Sequence, residues 1–188
     1  REYSGGIIAL SACLAGEVQK LLARGFYEEG KKAALMYQDI FGKGNYFLEL
    51  QDHGIPEQRE VNAELIKMAA DLHLPLVATN DVHYLRKLDA EYQAVMMCIQ
   101  TGNTLAEGKP IGFETEEFYY KNTAEMEKLF GHVPAAIENT QRIADACNFD
   151  FRFGEYHLPE FKAPDGKTNG QYLRELCEAG LKERYGEN

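Results

Sequence analysis

Three short apolar runs, each leading into a stretch with helical spacing, constrain this chain more than any other feature. Gly6 to Leu10 (G-I-I-A-L), Tyr46 to Leu50 (Y-F-L-E-L) and Leu74 to Ala78 (L-P-L-V-A) read as buried strands. After the first, Leu14 to Arg24 reads as a helix stopped by Gly25. Phe26 to Phe41 is a second helix, whose Ala33, Ala34, Tyr37 and Phe41 share a face. After the second run, Pro56 opens a helix, and Val61, Leu65, Met68, Ala69 and Leu72 form one apolar stripe. Strand alternating with helix predicts a parallel sheet joined by crossovers. Three strands do not close a barrel, so the expected class is α/β, either an open sheet or part of a barrel. The first strand has no preceding βα unit to pair with. Together with Arg1 at the start, this suggests a piece of a longer protein whose domain begins upstream, although a processed terminus reads the same way.

The second half changes character. Asp89 to Gln100 reads as a helix with Tyr92, Val95, Met96 and Ile99 inward, followed by a loop over Thr101 to Gly112. Glu117 to Tyr120 is a candidate short strand. Asn122 and Glu125 form a capping box for a helix over Thr123 to Phe130. Pro134 starts another helix, with Ile137, Ile143, Ala144 and Cys147 expected inward. Phe149 to Phe161 is aromatic and irregular, Ala163 to Asn169 is the best linker, and Gly170 to Tyr185 is a last amphipathic helix.

Composition removes several function classes. A net charge of -10 lacks the basic patch of a simple nucleic-acid binder. No apolar run is long enough to span a bilayer, and no secretory signal is present. The cysteines, Cys13, Cys98, Cys147 and Cys177, are far apart, which favours free thiols and a reducing, cytoplasmic home. The last three lie on predicted helices and read as space-filling. Phosphate-loop, dinucleotide and serine-elbow motifs are all absent.

The chemistry gathers where the strands end. Loops leaving the carboxyl ends of parallel strands share one rim, and that is where α/β folds place their sites. Ser11-Ala12-Cys13, Gln51-Asp52-His53 and Asn80-Asp81-Val82-His83 follow the three strands. Thiolate, carboxylate and imidazole donors suit Zn, Mn or Fe. Helix capping has no use for cysteine or histidine, so the set favours a metal. Asp52 and His53 are the weaker members, because Q-D-H-G-I-P also reads as a turn. Asp81 capping a helix and His83 packing is the bland alternative. Glu49 lies inside its strand with its direction open. His73, His132 and His157 read as structural.

Several strings carry a family resemblance. G-I-I-A-L-S-A-C-L-A-G-E-V (Gly6 to Val18), Y-F-L-E-L-Q-D-H-G-I-P-E-Q (Tyr46 to Gln58) and P-L-V-A-T-N-D-V-H-Y-L (Pro75 to Leu85) are the longest. With E-E-F-Y-Y-K, C-N-F and Y-H-L-P-E-F, they resemble the alpha subunits of bacterial DNA polymerase III, in order and spacing along nearly the whole chain. The resemblance implies a partial PHP (polymerase and histidinol phosphatase) domain, a distorted seven-stranded TIM-like β/α barrel, over residues 1 to 155. Residues 156 to 188 would be a linker and the first helix of the polymerase palm. It implies that Cys13, Asp81 and His83 are the later ligands of a divalent Zn or Mn site, the earlier ligands lying in motifs this chain lacks. It does not make Asp52 or His53 ligands. It implies a parent that makes DNA from deoxynucleoside triphosphates with Mg at palm aspartates outside this chain. The implied partners are the sliding clamp, the clamp loader and a proofreading subunit. A PHP 3′ to 5′ exonuclease is implied as possible, and the piece alone is expected to be inactive. A stand-alone PHP phosphoesterase and a non-catalytic structural and docking module are the alternatives.

Overall fold

The computed structural model describes residues 1–104 and 113–186. It divides into two compact units, Arg1–Asn148 and Phe149–Asn188. The expected loop over Thr101 to Gly112 lies mostly outside the described residues.

The first unit is an α/β layer built on three parallel strands in the order β1-β2-β3: β1 (Ala9–Leu10), β2 (Tyr46–Leu50) and β3 (Leu76–Ala78). The sheet is open. In register, Ala9 stands beside Tyr46 and Leu48 beside Leu76. All of β2 is buried, as the middle strand of a parallel sheet must be when both faces are covered. β1 is shorter than Gly6 to Leu10 and half-exposed, with Ile7 47% and Leu10 37% accessible. It lies at an edge of the sheet, so among the described residues its apolar run has a strand neighbour on one side only.

Helices cover the sheet. Between β1 and β2 lie α1 (Glu17–Ala23) and α2 (Tyr27–Phe41); α3 (Pro56–Leu72) leads to β3. α1 begins three residues later than its periodicity suggests, because the chain doubles back at Gly16. A Cβ there would sit 2.2 Å from the Ser11 carbonyl oxygen, so only glycine allows the approach. Pro56 occupies the first turn of α3, and His73 closes it in the left-handed conformation at φ 55°. The His73 ring bonds back to the Ala70 carbonyl at 2.9 Å, in agreement with its structural reading. Val18, Leu22, Ala34, Leu48, Leu50, Leu65 and Met68 form the centre of one continuous core. Burying each of its larger side chains contributes about 1.5–3 kcal/mol before entropy is counted.

After β3 come α4 (Ala90–Thr101), α5 (Thr123–Phe130) and α6 (Pro134–Ala146). The α5 capping box forms as expected: Asn122 Oδ1 accepts from the Glu125 amide at 3.0 Å, and Glu125 Oε2 accepts from the Asn122 amide at 2.8 Å. α6 packs on β3, with the Asn139 side-chain amide donating to the Leu76 carbonyl at 2.8 Å. Two expectations are corrected. Tyr92, Val95, Met96 and Ile99 of α4 face outward, with Ile99 72% accessible; the stripe is real, but nothing among the described residues covers it. Cys147 is exposed, as is Ala144 beside it in the last turn of α6, so only Cys98 of the helical cysteines fills space. The Glu117 to Tyr120 strand reduces to a single parallel bridge between Tyr84 and Tyr119.

The second unit holds the irregular aromatic stretch, a 3₁₀ turn at Pro164–Gly166 and α7 (Asn169–Tyr185). Thr168 caps α7 in a capping box with Gln171. Phe161 stacks on Tyr172 with ring centres 6.0 Å apart. No residue of α7 is buried, so its apolar stripe finds no core within the unit, and Cys177 is exposed there too.

Candidate functional site

Because the strands are parallel and adjacent, the loops after β1, β2 and β3 leave the same end of the sheet. They carry five side chains of metal-binding type: Cys13, Asp52, His53, Asp81 and His83. Their hydrogen bonds divide them sharply.

In the loop after β2 both side chains are engaged by protein partners. Asp52 Oδ1 accepts from the Gly54 amide at 2.8 Å, and its Oδ2 accepts from Arg59 Nε at 3.2 Å. His53 is fully buried. Its ring stacks on Phe118, with centres 4.0 Å apart and planes within 6°. Gln58 grips it twice: its Oε1 accepts from the His53 amide and its Nε2 donates to Nδ1, both at 2.8 Å. The other ring nitrogen, Nε2, donates to the Asn80 carbonyl at 2.8 Å. These partners assign the neutral ring with its proton on Nε2 and leave no lone pair for an ion. The rim argument from sequence therefore fails for Asp52 and His53: they are the joinery of the middle loop.

The loop after β3 is open. Asp81 adopts a left-handed backbone at φ 43°, and its carboxylate has no hydrogen-bond partner among the described residues. His83 Nδ1 lies 2.8 Å from the Asp81 carbonyl oxygen and 4.0 Å from Asp81 Oδ1. Donation from Nδ1 to that carbonyl turns the Nε2 lone pair outward, the arrangement metal-binding histidines use. The ring is held against Phe113 at 4.4 Å and edge-on to Phe118 at 5.4 Å. Behind the loop, the buried Lys121 ammonium donates to Asn80 Oδ1 at 3.3 Å and sits 4.3 Å above the Tyr119 ring. Burial pushes the Lys121 pKa down, against the pull of Glu117. The Glu117 carboxyl is held below its ordinary range, chiefly by its hydrogen bond from Lys87.

The loop after β1 places Cys13 half-buried between β1 and α1, with no hydrogen-bond partner for its sulfur among the described residues. Its neighbour Ala12 has a left-handed backbone at φ 69°. The Ala12 amide donates to Glu49 Oε2 at 3.0 Å, and its carbonyl accepts from Gln19 Nε2 at 2.8 Å.

The structure thus brings Asp81 and His83 together and leaves Cys13 on the loop two strands away. Among the described residues, no three Cys, His, Asp or Glu side chains gather as an ion-holding group. Cys13, Asp81 and His83 are donor types that a divalent metal takes, and each offers an atom that no described protein group occupies. Sequence reasoning missed Gln19, Gln58 and Lys121 among the buried polar residues that shape the rim, and left the roles of Ser11 and Glu49 open. One was signalled: Gln58 stands on the apolar stripe of α3, one turn before Val61 and two before Leu65, where a polar residue demands a buried partner.

The PHP domain family matches residues 1–53. Over 98% of its length the chain is similar to DNA polymerase III subunit alpha of Treponema pallidum, at 39% identity over 185 residues. The corresponding Borreliella burgdorferi subunit is 40% identical over 186 residues, again 98% of this chain. That of Helicobacter pylori is 44% identical over 158 residues, 78% of this chain. The chain spans 16% of the length of the first two relatives and 13% of the third.

Proposed function

Taking the chain as a homologue of the PHP region of DNA polymerase III subunit alpha, we propose that it is a segment of a bacterial replicative polymerase and supplies Cys13, Asp81 and His83 to a divalent metal centre on the PHP rim. The observation that carries the metal reading is the division of the rim donors. The three that the family resemblance marks as ligands each keep a donor atom with no described hydrogen-bond partner, while the two it passes over have both side-chain polar atoms engaged by protein groups. A Zn or Mn ion bound there supplies Lewis acidity toward a phosphodiester, the chemistry of a 3′ to 5′ exonuclease. This chain's own part is to hold the His83 ring by its Nδ1 donation and its Phe113 and Phe118 contacts, with Nε2 presented outward.

Polymerisation of deoxynucleoside triphosphates on DNA, with Mg at palm aspartates outside this chain, belongs to the whole protein in this reading. So do its partners: the sliding clamp, the clamp loader and a proofreading subunit. The reading places the protein in the cytoplasm. Among the described residues no helix is long and apolar enough to cross a membrane. The net charge of -10 is consistent with a module whose grip on DNA lies elsewhere.

The test is elemental analysis of the purified full-length protein beside its His83→Ala, Asp81→Ala and His53→Gln variants. Loss of bound metal from the first two and retention by the third, with primer extension preserved in all, is the expected result. Equal metal content in all four removes Asp81 and His83 from the site.

A further inference from the structure

The two open loops lie on either side of β2, and one buried carboxylate touches both. Glu49, 8% accessible, points from the middle strand toward the rim. Its Oε2 accepts from the Ala12 amide at 3.0 Å, immediately before Cys13. Its Oε1 accepts from the Thr79 hydroxyl, two residues before Asp81, and from Gln51 Nε2 at 2.9 Å. Gln51 also reaches Thr79 Oγ1 at 3.2 Å, closing the triangle. On the opposite side the Glu49 amide donates to Ser11 Oγ at 2.8 Å, and Gln19 Nε2 donates to the same hydroxyl at 2.6 Å.

We propose that Glu49 is a positioning residue that couples the Cys13 loop to the Asp81–His83 loop, so that the two donor groups keep one fixed spacing across β2. Two physical points carry it. Ala12 stands in the left-handed region, which costs an alanine about 1 kcal/mol or more and persists only where surrounding bonds enforce it. For Ala12 those bonds are Glu49 on its amide and Gln19 on its carbonyl. The second point is the pattern of partners around the carboxyl group: an amide N–H, a hydroxyl and a side-chain amide all aim donors at its two oxygens, so the contacts are directional and reach both loops at once.

The coupling stands on geometry alone; its consequence for metal rests on the function proposed above. Glu49→Gln keeps the size but turns one acceptor into a donor, which must then face the Ala12 amide or Gln51 Nε2. Thr79→Val keeps the shape and removes the hydroxyl. Hydrogen exchange followed by mass spectrometry on the metal-free full-length protein reads both loops at once. With Glu49→Gln, exchange in residues 11–16 and 79–86 rises together, about tenfold, while α3 stays within about twofold of the parent. With Thr79→Val, exchange rises in residues 11–16 as well, although the change lies on the other loop. Zn affinity, measured by competition with a chelator, falls about tenfold in both variants.

If Glu49→Gln loosens neither loop or only one, the coupling is wrong. The same holds if Thr79→Val leaves residues 11–16 unchanged. Should Glu49→Gln fail to fold, Thr79→Val decides alone. Loosened loops with unchanged Zn affinity uphold the coupling and overturn the metal reading.

Discussion

His53 and His83 stand on neighbouring loops of one rim, and each packs against Phe118, yet they are built for opposite ends. The His53 ring lies flat on Phe118, is sealed from water and spends both nitrogens on protein partners. The His83 ring meets Phe118 edge-on, stays partly open and spends one nitrogen. A histidine motif at a strand end is therefore not by itself a ligand. What separates scaffold from donor is whether the second ring nitrogen is already occupied, and here the difference is made by a single glutamine, Gln58, reaching across from the first turn of α3.

The comparison breaks most visibly through stability. His53→Ala removes a fully buried ring and leaves Gln58 Nε2 and the Asn80 carbonyl without their partner. A loss of about 3 kcal/mol is expected in chemical denaturation of the first unit. Gln58→Ala is the next largest, about 2 kcal/mol, since it strips two hydrogen bonds from His53 and leaves Nδ1 unpaired. His83→Ala falls within about 1 kcal/mol of the parent by the same measurement, because the ring is partly exposed and gives up one local bond. If His83→Ala costs as much as His53→Ala, the two loops are not different in kind.

The smallest effect is a pH dependence. The Glu117 carboxyl is depressed mainly by Lys87, so its contribution is present above the ordinary glutamate range. It is lost as pH falls through the depressed folded value. Lys87→Met removes that hydrogen bond and its charge. The stability difference between parent and variant is then expected to shrink steadily as the pH falls below the ordinary glutamate range, followed by thermal melts. A difference that grows toward acid contradicts the assignment.

Much of the frame was legible in the sequence. Tyr46 to Leu50, Pro56 at a helix start, and the Asn122–Glu125 box all fall where their residue types put them, because each depends on local chemistry. The apolar stripe of α4 was legible as a stripe but not as a surface, since periodicity says which residues share a face and nothing about what covers it. β1 was read too long for a related reason: an edge strand and a middle strand have the same composition. Cys13, Asp81 and His83 stood out by residue type and loop position as the ligands of the proposed centre. The roles of Glu49, Gln58 and Lys121 depend on contacts between segments far apart in sequence, and only the structure brings those together.

The central claim is that the loops flanking β2 hold the ligands and the loop between them holds the frame. Cobalt(II) titration of the metal-free full-length protein tests it most directly, through the near-ultraviolet charge-transfer band that a thiolate gives when it binds the ion. The account predicts a band that Cys13→Ser abolishes, His83→Ala weakens and His53→Gln leaves in place. A band that survives Cys13→Ser, or one that disappears with His53→Gln in a folded protein, contradicts it.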